Sequence, residues 1–445
     1  MTAYHTQSRS TPRGALALRG VAVVNTPDFY HTVAAELVDF ARPAFRSGSG
    51  FAWLDVDGAP LAGRPRFLYV TCRMTYVAAL EVVRTGATDG PDFDRAAHGI
   101  DLLSGQFRDR EHGGWFTALA DETPAPQDLA QTQPTVVDDR KSAYPHTFVV
   151  LAAATAQVAR IPGAQRLLAD ALEVLTTRFW DEDAGMFVED YSRDFAALDS
   201  YRGANSNMHG VEALLAAYGA TRDPQYLVMA ARIAARIIAV ARDFAWRLPE
   251  HFTADWRVLP DYNADNPNDP VRPYGSTPGH WLEWARLLTH LRFGLEQAGL
   301  DKQELPQPAD LLAAAIAFFD RAIVEADGVD GQPGLLFTVD FEGRPLSHSR
   351  LHWVTCEGIG AARALAQVTG EARFAQSHER LWEYAATYLM DHEAGSWHHE
   401  LARYNRPAQS IRVGKADIYH AYQAALLAAT PLSVTVIDGL LEKRK

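Results

Sequence analysis

The sequence predicts an all-α protein, an (α/α)6 barrel of about six helical hairpins with short β-hairpin loops at one end. Three observations carry this prediction. Six similar Ala- and Leu-rich stretches recur at intervals of 63–74 residues. Amphipathic segments with helical spacing lie between them, and the alternation of apolar and polar residues that is typical of strands is nearly absent. Each interval leaves room for one return helix and its loops.

The six stretches are apolar on nearly every side, which favours helices that are covered all round. Hairpins repeated six times could stack into an open solenoid or close into a toroid. An open solenoid would leave more polar positions on these stretches, so we expect a closed inner ring covered by an outer one. The stretches begin at Arg73 (RMTYVAALEV), His146 (HTFVVLAAAT), His209 (HGVEALLAAY), His280 (HWLEWARLLT), Val354 (VTCEGIGAAR) and His420 (HAYQAALLAA).

Four intervening segments carry apolar residues at helical spacing and are predicted to form outer helices. They run over residues 166–178, 224–242, 309–326 and 374–390. Acidic, glycine-containing turns before an aromatic or apolar pair predict short loops or β-hairpins at one end of the helix pairs. These turns are EHGGWF (111–116), DEDAGMF (181–187) and DHEAGSWHHE (391–400).

The chain has 445 residues, of which 47% are hydrophobic and 22% charged, enough for one large core. We expect a flexible N-terminal arm over residues 1–24 and a single barrel domain over residues 25–445. Neither a signal peptide nor a long apolar run is recognisable. The two cysteines, Cys72 and Cys356, show no disulfide or zinc spacing. The sequence therefore predicts a cytoplasmic protein.

The formal net charge is −13. Nucleic acids and anionic membranes attract clustered Lys and Arg, so this balance argues against both as partners. We therefore expect neither a nucleic acid nor a membrane as a main partner.

Five of the six stretches begin with a basic residue that an Ala-rich helix does not need. If each start marks the same level of an inner helix, Arg73, His146, His209, His280 and His420 converge at one end of the barrel. A single histidine in such a position is more often a core residue bonded to the backbone. Five basic groups in register instead favour a functional site around a funnel.

Acidic side chains stand three positions after some of these starts, and residues i and i+3 share one helix face. His209 with Glu212, and His280 with Glu283, are therefore expected to point into the same pocket. An acid beside an imidazole fixes its tautomer and raises its pKa, as a proton-transfer catalyst requires.

Other chemistries lack their motifs. His-x-x-Glu can supply two metal ligands from one helix turn, but no third ligand lies at short range. Neither cysteine lies in a nucleophile motif, and no G-x-S-x-G elbow, Walker motif or G-x-G-x-x-G occurs. We expect neither a metal nor an organic cofactor, and an unphosphorylated substrate.

Six sequence blocks between about Phe51 and Leu427 carry a family resemblance. Taken together they resemble the N-acylglucosamine 2-epimerase superfamily, and within it the branch of D-mannose isomerases and sulfoquinovose isomerases. The blocks are GFAWLD (50–55), CRMTYVAAL (72–80), YPHTFVVLA (144–152), GANSNMHGVEALLAA (203–217), RPYGSTPGHWLEWARLL (272–288) and KADIYHAYQA (415–424).

The resemblance implies a six-hairpin barrel whose funnel binds an open-chain monosaccharide. It also implies that one Arg and three His line the site, together with a Glu, an Asn and a Tyr. The positions that match are Arg73, His209, His280, His420, Glu283, Asn205 and Tyr144. Four further residues are expected to contact the sugar, namely Trp53, Glu212, His146 and Trp397. The two tryptophans are included because indole rings often stack on sugar rings.

These residue types suit proton transfer between C1 and C2 of an aldose. The intermediate is enolate-like and needs a cationic or hydrogen-bonding group at its oxygen and a base near neutral pKa. We hypothesise that His420 moves the proton between C2 and C1, while His280, supported by Glu283, assists ring opening. Arg73 and His209 would hold O1 and O2.

Alternatives remain open at this stage. A proton returned to the opposite face of C2 gives a 2-epimerase, for which His280 could be the second base. The resemblance favours interconversion of D-mannose and D-fructose as the reaction. Sulfoquinovose could replace mannose, with Arg272 as a candidate for the sulfonate. From a different class, six-hairpin barrels also serve as glycoside hydrolases, which require two opposed carboxylates.

Overall fold

The computed structural model describes residues 26–46, 48–121, 134–300 and 305–444. The predicted N-terminal arm lies outside these residues. The helices are α1 (Pro27–Ala41), α2 (Leu68–Thr85), α3 (Pro91–Ser104), α4 (Ala143–Val158), α5 (Ala164–Val174), α6 (Ala204–Thr221), α7 (Gln225–Asp243), α8 (Pro278–Gln297), α9 (Pro308–Ala326), α10 (His352–Thr369), α11 (Ala372–Tyr384), α12 (Tyr419–Ala429) and α13 (Val436–Lys443).

The strands of the described residues are two or three residues long and lie in the connections. They are β1 (Arg66–Phe67), β2 (Ala118–Leu119), β3 (Val136–Asp138), β4 (Lys141–Ser142), β5 (Trp180–Asp181), β6 (Met186–Phe187), β7 (Asp190–Tyr191), β8 (Arg202–Gly203), β9 (His251–Phe252), β10 (Thr338–Val339), β11 (Pro345–Ser347), β12 (Arg350–Leu351), β13 (Met390–Asp391), β14 (Ser396–Trp397) and β15 (Glu400–Leu401).

The even-numbered helices α2 to α12 form a closed inner ring. Each contacts the next, and α12 contacts α2, so the ring has no open edge. Each of the six Ala- and Leu-rich stretches lies in one of these helices. They are buried along almost their whole length, as their uniformly apolar sequences predict. The predicted all-helical fold and its closure are confirmed.

An outer ring covers the inner one. Helices α3, α5, α7, α9 and α11 pack on inner helices, and α1 packs on α12. The four predicted amphipathic segments correspond to α5, α7, α9 and α11, and two of them end in π-helical turns, Leu175–Phe179 and Ala385–Leu389. Helices α1 and α3 were not among the predicted segments. Helix α3 approaches α2 so closely that a side chain at Gly99 would collide with Thr75.

Short strands fix the N-terminal ends of inner helices at one end of the barrel. Strands β1, β4, β8 and β12 each end at the residue before α2, α4, α6 and α10. Their antiparallel partners are β2, β7, β9 and β15. Two of the predicted turns are β-hairpins, in which β5 pairs with β6 and β13 with β14. The first turns of the inner helices therefore face one shared space.

Among the described helices, none combines the length and the apolar character that crossing a bilayer requires.

Candidate active site

A cleft with an empty volume of about 810 Å³ opens where the inner helices begin. Its walls come mainly from the first turns of these helices, and its rim from the connecting segments. Of the predicted site residues it is lined by Arg73, Tyr144, Asn205, His209, His280, Glu283 and His420. Residues from five inner helices thus meet at one end of the barrel, although they lie hundreds of positions apart in the sequence.

His420 is held through its Nδ1 atom. That atom lies 2.8 Å from Oε1 of Glu357, whose Oε2 accepts a hydrogen bond of 2.8 Å from Nε of Arg286. Because Glu357 accepts from Arg286, we assign it as a carboxylate and place the imidazole proton on Nδ1. Burial, reinforced by the nearby Arg73, lowers the pKa of His420 well below its usual range. The ring is neutral, and its Nε2 is free to accept a proton.

His280 has a different carboxylate partner from the predicted one. Its Nδ1 lies 3.0 Å from Oε1 of Glu250, which precedes β9. The prediction that Glu283 supports His280 is therefore wrong. His280 lies in the first turn of α8 and reaches out to the β9 connection, whereas Glu283, one turn further along, reaches His209 and Arg286 inside the ring.

One indole ring connects the two imidazoles. The Trp353 ring lies 5.1 Å from the ring centroid of His280 and 5.8 Å from that of His420, tilted by 35° and 40°. The indole thus contacts both imidazoles and forms an apolar wall of the cleft, as sugar-binding sites commonly have.

Three carboxyl groups lie buried beneath the cleft around one guanidinium group. Arg286 lies 3.5 Å from both Glu212 and Glu283 and 2.8 Å from Glu357. Burial and the neighbouring Glu357 raise the pKa of Glu283 far above its usual range. A higher pKa favours the protonated form of Glu283, in which the carboxyl adds no negative charge and can donate a hydrogen bond.

His209 lies between the cleft and this buried cluster. Its Nδ1 is 3.6 Å from both Glu212 and Glu283, longer than a hydrogen bond. Burial lowers the pKa of His209 to about 4, partly offset by Glu212. The ring is thus neutral at physiological pH.

His209, Glu212 and Glu283 bring three atoms of metal-ligand type within 4.8 Å of one another, a grouping that sequence spacing did not predict. The surroundings suit a metal poorly. Glu212 already accepts hydrogen bonds from Tyr419 and from Gln423. The Arg286 guanidinium group lies beside both carboxyls and would repel a second cation.

Arg73 is a rigidly held cation at the side of the cleft. Its guanidinium group lies 3.3 Å from Asp417 and 3.0 Å from the hydroxyl of Tyr144. The same group lies over the rings of Phe148 and Tyr419 at 4.5 Å and 4.8 Å. Such a cation can stabilise an oxyanion with little rearrangement.

Sequence analysis missed several residues of the cleft. His352 and His399 lie in its wall with their rings stacked, 3.9 Å apart and 14° from parallel. His352 is the first residue of α10, two positions before Val354, where the alignment placed the start. Val354 is the one aligned start that is not a basic residue, and this exception was the signal that could have revealed His352. Asp417, also in the cleft wall, carried no comparable signal, and neither did Glu250, which lies outside the cleft and contacts His280.

Four predicted site residues lie elsewhere, which corrects the sequence-based assignment. The His146 ring accepts a hydrogen bond from the amide of Trp115 and donates to the carbonyl of Ser142, so both nitrogens are used within the fold. Glu212 lies below the cleft. Trp53 stacks against Arg64 and donates to a backbone carbonyl, and Trp397 is buried against Trp382; neither indole lines the cleft.

Known proteins match nearly the whole chain. The sequence profile of the N-acylglucosamine 2-epimerase (GlcNAc 2-epimerase) family matches residues 49–424. A D-mannose isomerase of Thermobifida fusca is 45% identical over 413 residues, which cover 92% of this chain and 95% of that protein. A D-mannose isomerase of Pseudomonas cannabina pv. alisalensis is 40% identical over 423 residues, with coverages of 94% and 96%.

Solved structures share the same fold. A crystal structure of a D-mannose isomerase superposes with a TM-score of 0.80 at 26% identity, covering 92% of this chain and 99% of that one. A cellobiose 2-epimerase from Spirochaeta thermophila superposes with a TM-score of 0.74 at 19% identity, with coverages of 93% and 98%. The second likeness concerns the fold alone.

Proposed function

Because the chain belongs to the N-acylglucosamine 2-epimerase family and is an isomerase, we propose that it interconverts D-mannose and D-fructose by histidine-mediated proton transfer through a cis-enediolate. One observation carries the proposal. His420 and His280 lie at one cleft, each with a carboxylate on Nδ1, beside the fixed cation Arg73. This arrangement offers two imidazoles for proton transfer and an oxyanion partner at the same place.

In the proposed forward reaction, Nε2 of His420 removes the proton from C2 of the open-chain aldose. The C2–H electron pair forms the C1–C2 double bond, and the carbonyl π pair moves to O1. Arg73 and His209 stabilise the charge on O1 and O2. His280 assists ring opening and later moves the proton from O2 to O1. As the carbonyl forms at C2, the electron pair of the C1–C2 double bond takes the proton from His420, which forms the new C1–H bond.

The 2-epimerase reaction is the second candidate, and one observation favours it. His280 and His420 both contact Trp353, so two imidazoles lie near one substrate position. A 2-epimerase needs a base on each face of C2, and these two rings could supply them.

Sulfoquinovose is less well supported than mannose as the substrate. Arg272, the sequence-based candidate for the sulfonate, lies 3.0 Å from Asp190 and 4.1 Å from the centroid of the Tyr201 ring. A sulfonate at Arg272 would compete with Asp190 for the guanidinium group. The mannose proposal requires no such exchange.

Proton NMR in heavy water distinguishes these reactions. Purified protein is incubated separately with D-mannose, D-glucose, D-fructose, sulfoquinovose and cellobiose. Fructose formed from mannose supports the proposal, whereas glucose formed without fructose supports 2-epimerisation. A kcat/KM that clearly favours sulfoquinovose would reverse the ranking of substrates. Hydrolysis of cellobiose without any interconversion of monosaccharides would reject both isomerisation and epimerisation.

A further inference from the structure

We propose that Glu250 is a positioning residue for His280, which holds the imidazole with its proton on Nδ1 and its Nε2 as the acceptor toward the substrate. The role in catalysis rests on the proposed function; the position of the proton does not. Neither sequence motif nor spacing pointed to Glu250, which lies thirty residues before His280, in the connection between α7 and α8.

The backbone of Glu250 is fixed independently of its side chain. Its carbonyl accepts a 2.9 Å hydrogen bond from the amide of Ala204, the first residue of α6. The next residue, His251, pairs with Gly203 in the β8–β9 ladder. Glu250 is therefore held at the junction of two elements, and only 3% of its surface is exposed.

The His280 ring is constrained by what surrounds it. Oε1 of Glu250 lies 3.0 Å from Nδ1, and the Trp353 indole packs against the ring. Titratable groups near this ring also include Glu283 on its own helix, His209 on α6 and His251 beside Glu250. Among the described residues, Glu250 alone places a carboxylate within hydrogen-bonding distance of a His280 nitrogen.

A neutral imidazole has two tautomers, and only one leaves Nε2 able to accept a proton. A carboxylate accepts hydrogen bonds and cannot donate them, so Glu250 selects the tautomer with the proton on Nδ1. The same negative charge also stabilises the imidazolium that forms when His280 takes up a proton.

Glu250 does not line the cleft itself. It lies in the wall of a neighbouring, open chamber with an empty volume of about 1240 Å³, which Glu189, Tyr201 and His251 also line. The carboxylate therefore acts through His280. Glu189 provides a matched control, because it is a buried glutamate of the same chamber that accepts a 2.7 Å hydrogen bond from the hydroxyl of Ser206 and not from a histidine.

Nitrogen-15 NMR of protein labelled at histidine tests the proton position directly. The His280 signals are assigned by their absence in His280→Gln. We expect the wild-type ring to carry its proton on Nδ1. In Glu250→Gln both tautomers should be populated, because an amide can donate as well as accept; Glu189→Gln should leave the signals unchanged. A wild-type ring protonated on Nε2 would overturn the proposal without depending on any Glu250 variant.

Kinetics test the consequence. Glu250→Gln should lower kcat by about 10- to 100-fold with little change in KM, as partial loss of general acid–base catalysis does. The acid limb of kcat/KM should move to lower pH, because the imidazolium loses its counter-charge. Glu189→Gln should keep the wild-type limb. A Glu250→Gln enzyme with unchanged kcat and pH profile contradicts the positioning role.

The two proposals can fail separately. If the wild-type protein does not convert mannose, the proposed function fails, but the NMR experiment still reports the tautomer. If mannose is converted and the His280 proton lies on Nε2, only the role of Glu250 is rejected.

Discussion

Buried histidines of this barrel differ in what binds their Nδ1 atoms. In His420 and His280 the partner is a carboxylate. In His146, His290 and His378 it is a backbone carbonyl, at 2.6–3.2 Å. A carbonyl satisfies a neutral ring, whereas a carboxylate also stabilises a protonated one. The Nδ1 partner therefore separates proton-transfer candidates from structural histidines.

Sequence spacing could not make this separation. The carboxylate partners of His280 and His420 are Glu250 and Glu357, which lie 30 and 63 positions away. Spacing of i, i+3 relates only residues of the same helix, so it indicated Glu283 as the partner of His280. Blocks of the family resemblance identified Arg73, Tyr144 and Asn205 as cleft residues, as the structure finds, but they do not include Glu250.

We expect His420→Asn to lower kcat by about 10²–10⁴-fold with little change in the melting temperature, because it removes the proposed base at C2. The variant should also stop incorporating deuterium at C2 of mannose. His290→Asn is the matched control, since its ring bonds to the Ser433 carbonyl outside the cleft. It should lower the melting temperature and spare the rate of the folded fraction. Wild-type C2 exchange in His420→Asn would assign the base elsewhere.

Removal of metal ions by a chelator tests whether His209, Glu212 and Glu283 hold a metal that the reaction needs. Because Arg286, Tyr419 and Gln423 already interact with its carboxyls, we expect prolonged dialysis against EDTA to leave kcat unchanged within error. Loss of activity that a divalent cation restores would instead place a metal in the reaction. Parallel measurement of bound metal identifies it.

At the scale of elements, the Ala- and Leu-rich pattern predicted where the inner helices run but not where each side chain points. His146 and His209 start similar stretches, yet only His209 faces the cleft. His146 lies three residues after the start of α4, and His209 five residues after the start of α6. A difference of two positions turns a side chain to another face of a helix. Alignment by composition does not resolve such a shift.

The connections form the rim of the cleft. Pro270, Val271 and Pro273 form part of its rim. Two hydrogen bonds hold this segment, from His251 Nε2 to the carbonyl of Pro273 at 2.8 Å and from Arg412 to that of Pro270 at 2.7 Å. Loops of this kind have no periodic sequence signal, so their role was not predicted.

We expect His251→Ala to raise KM for mannose several-fold with a smaller effect on kcat, because it releases the Pro273 end of the rim without removing a reacting group. Tyr201→Phe removes only the hydroxyl that binds the other ring nitrogen of His251 and should have a weaker effect in the same direction. Steady-state kinetics of both variants check this. An unchanged KM in His251→Ala would show that the rim does not contact the sugar.

At the scale of the whole molecule, burial leaves many histidines neutral. It lowers the pKa of His146 to about 3 and those of His209, His290, His352 and His378 to about 4. It also lowers the pKa values of His399 and His420 well below their usual range. In the unfolded chain these rings take up protons below about pH 6.5. The unfolded state therefore gains protons that the folded state does not.

We expect the free energy of unfolding to fall steadily between about pH 6.5 and 4, since each such ring contributes up to about 1.4 kcal/mol per pH unit. Burial raises the pKa of Glu189 to about 7 and also raises those of Glu283 and Glu357. Those acids bind protons in the folded state and stabilise it as the pH falls, so they offset part of the loss. The histidines outnumber them.

Urea unfolding at several pH values measures this dependence. His290→Gln, which removes one titrating ring distant from the cleft, should reduce the slope. A free energy of unfolding that stays constant or rises as the pH falls would contradict the expectation.

The closure of the ring has a consequence for how the protein folds. Helix α1, the first described element, packs on α12, and α12 also completes the inner ring by contacting α2. Since α12 carries His420, the cleft lacks this imidazole until segments nearly 400 positions apart have met. High contact order slows folding, and synthesis delivers α12 after all other members of the ring. We therefore expect any activity that depends on His420 to appear only after the last of the six hairpins has closed the ring.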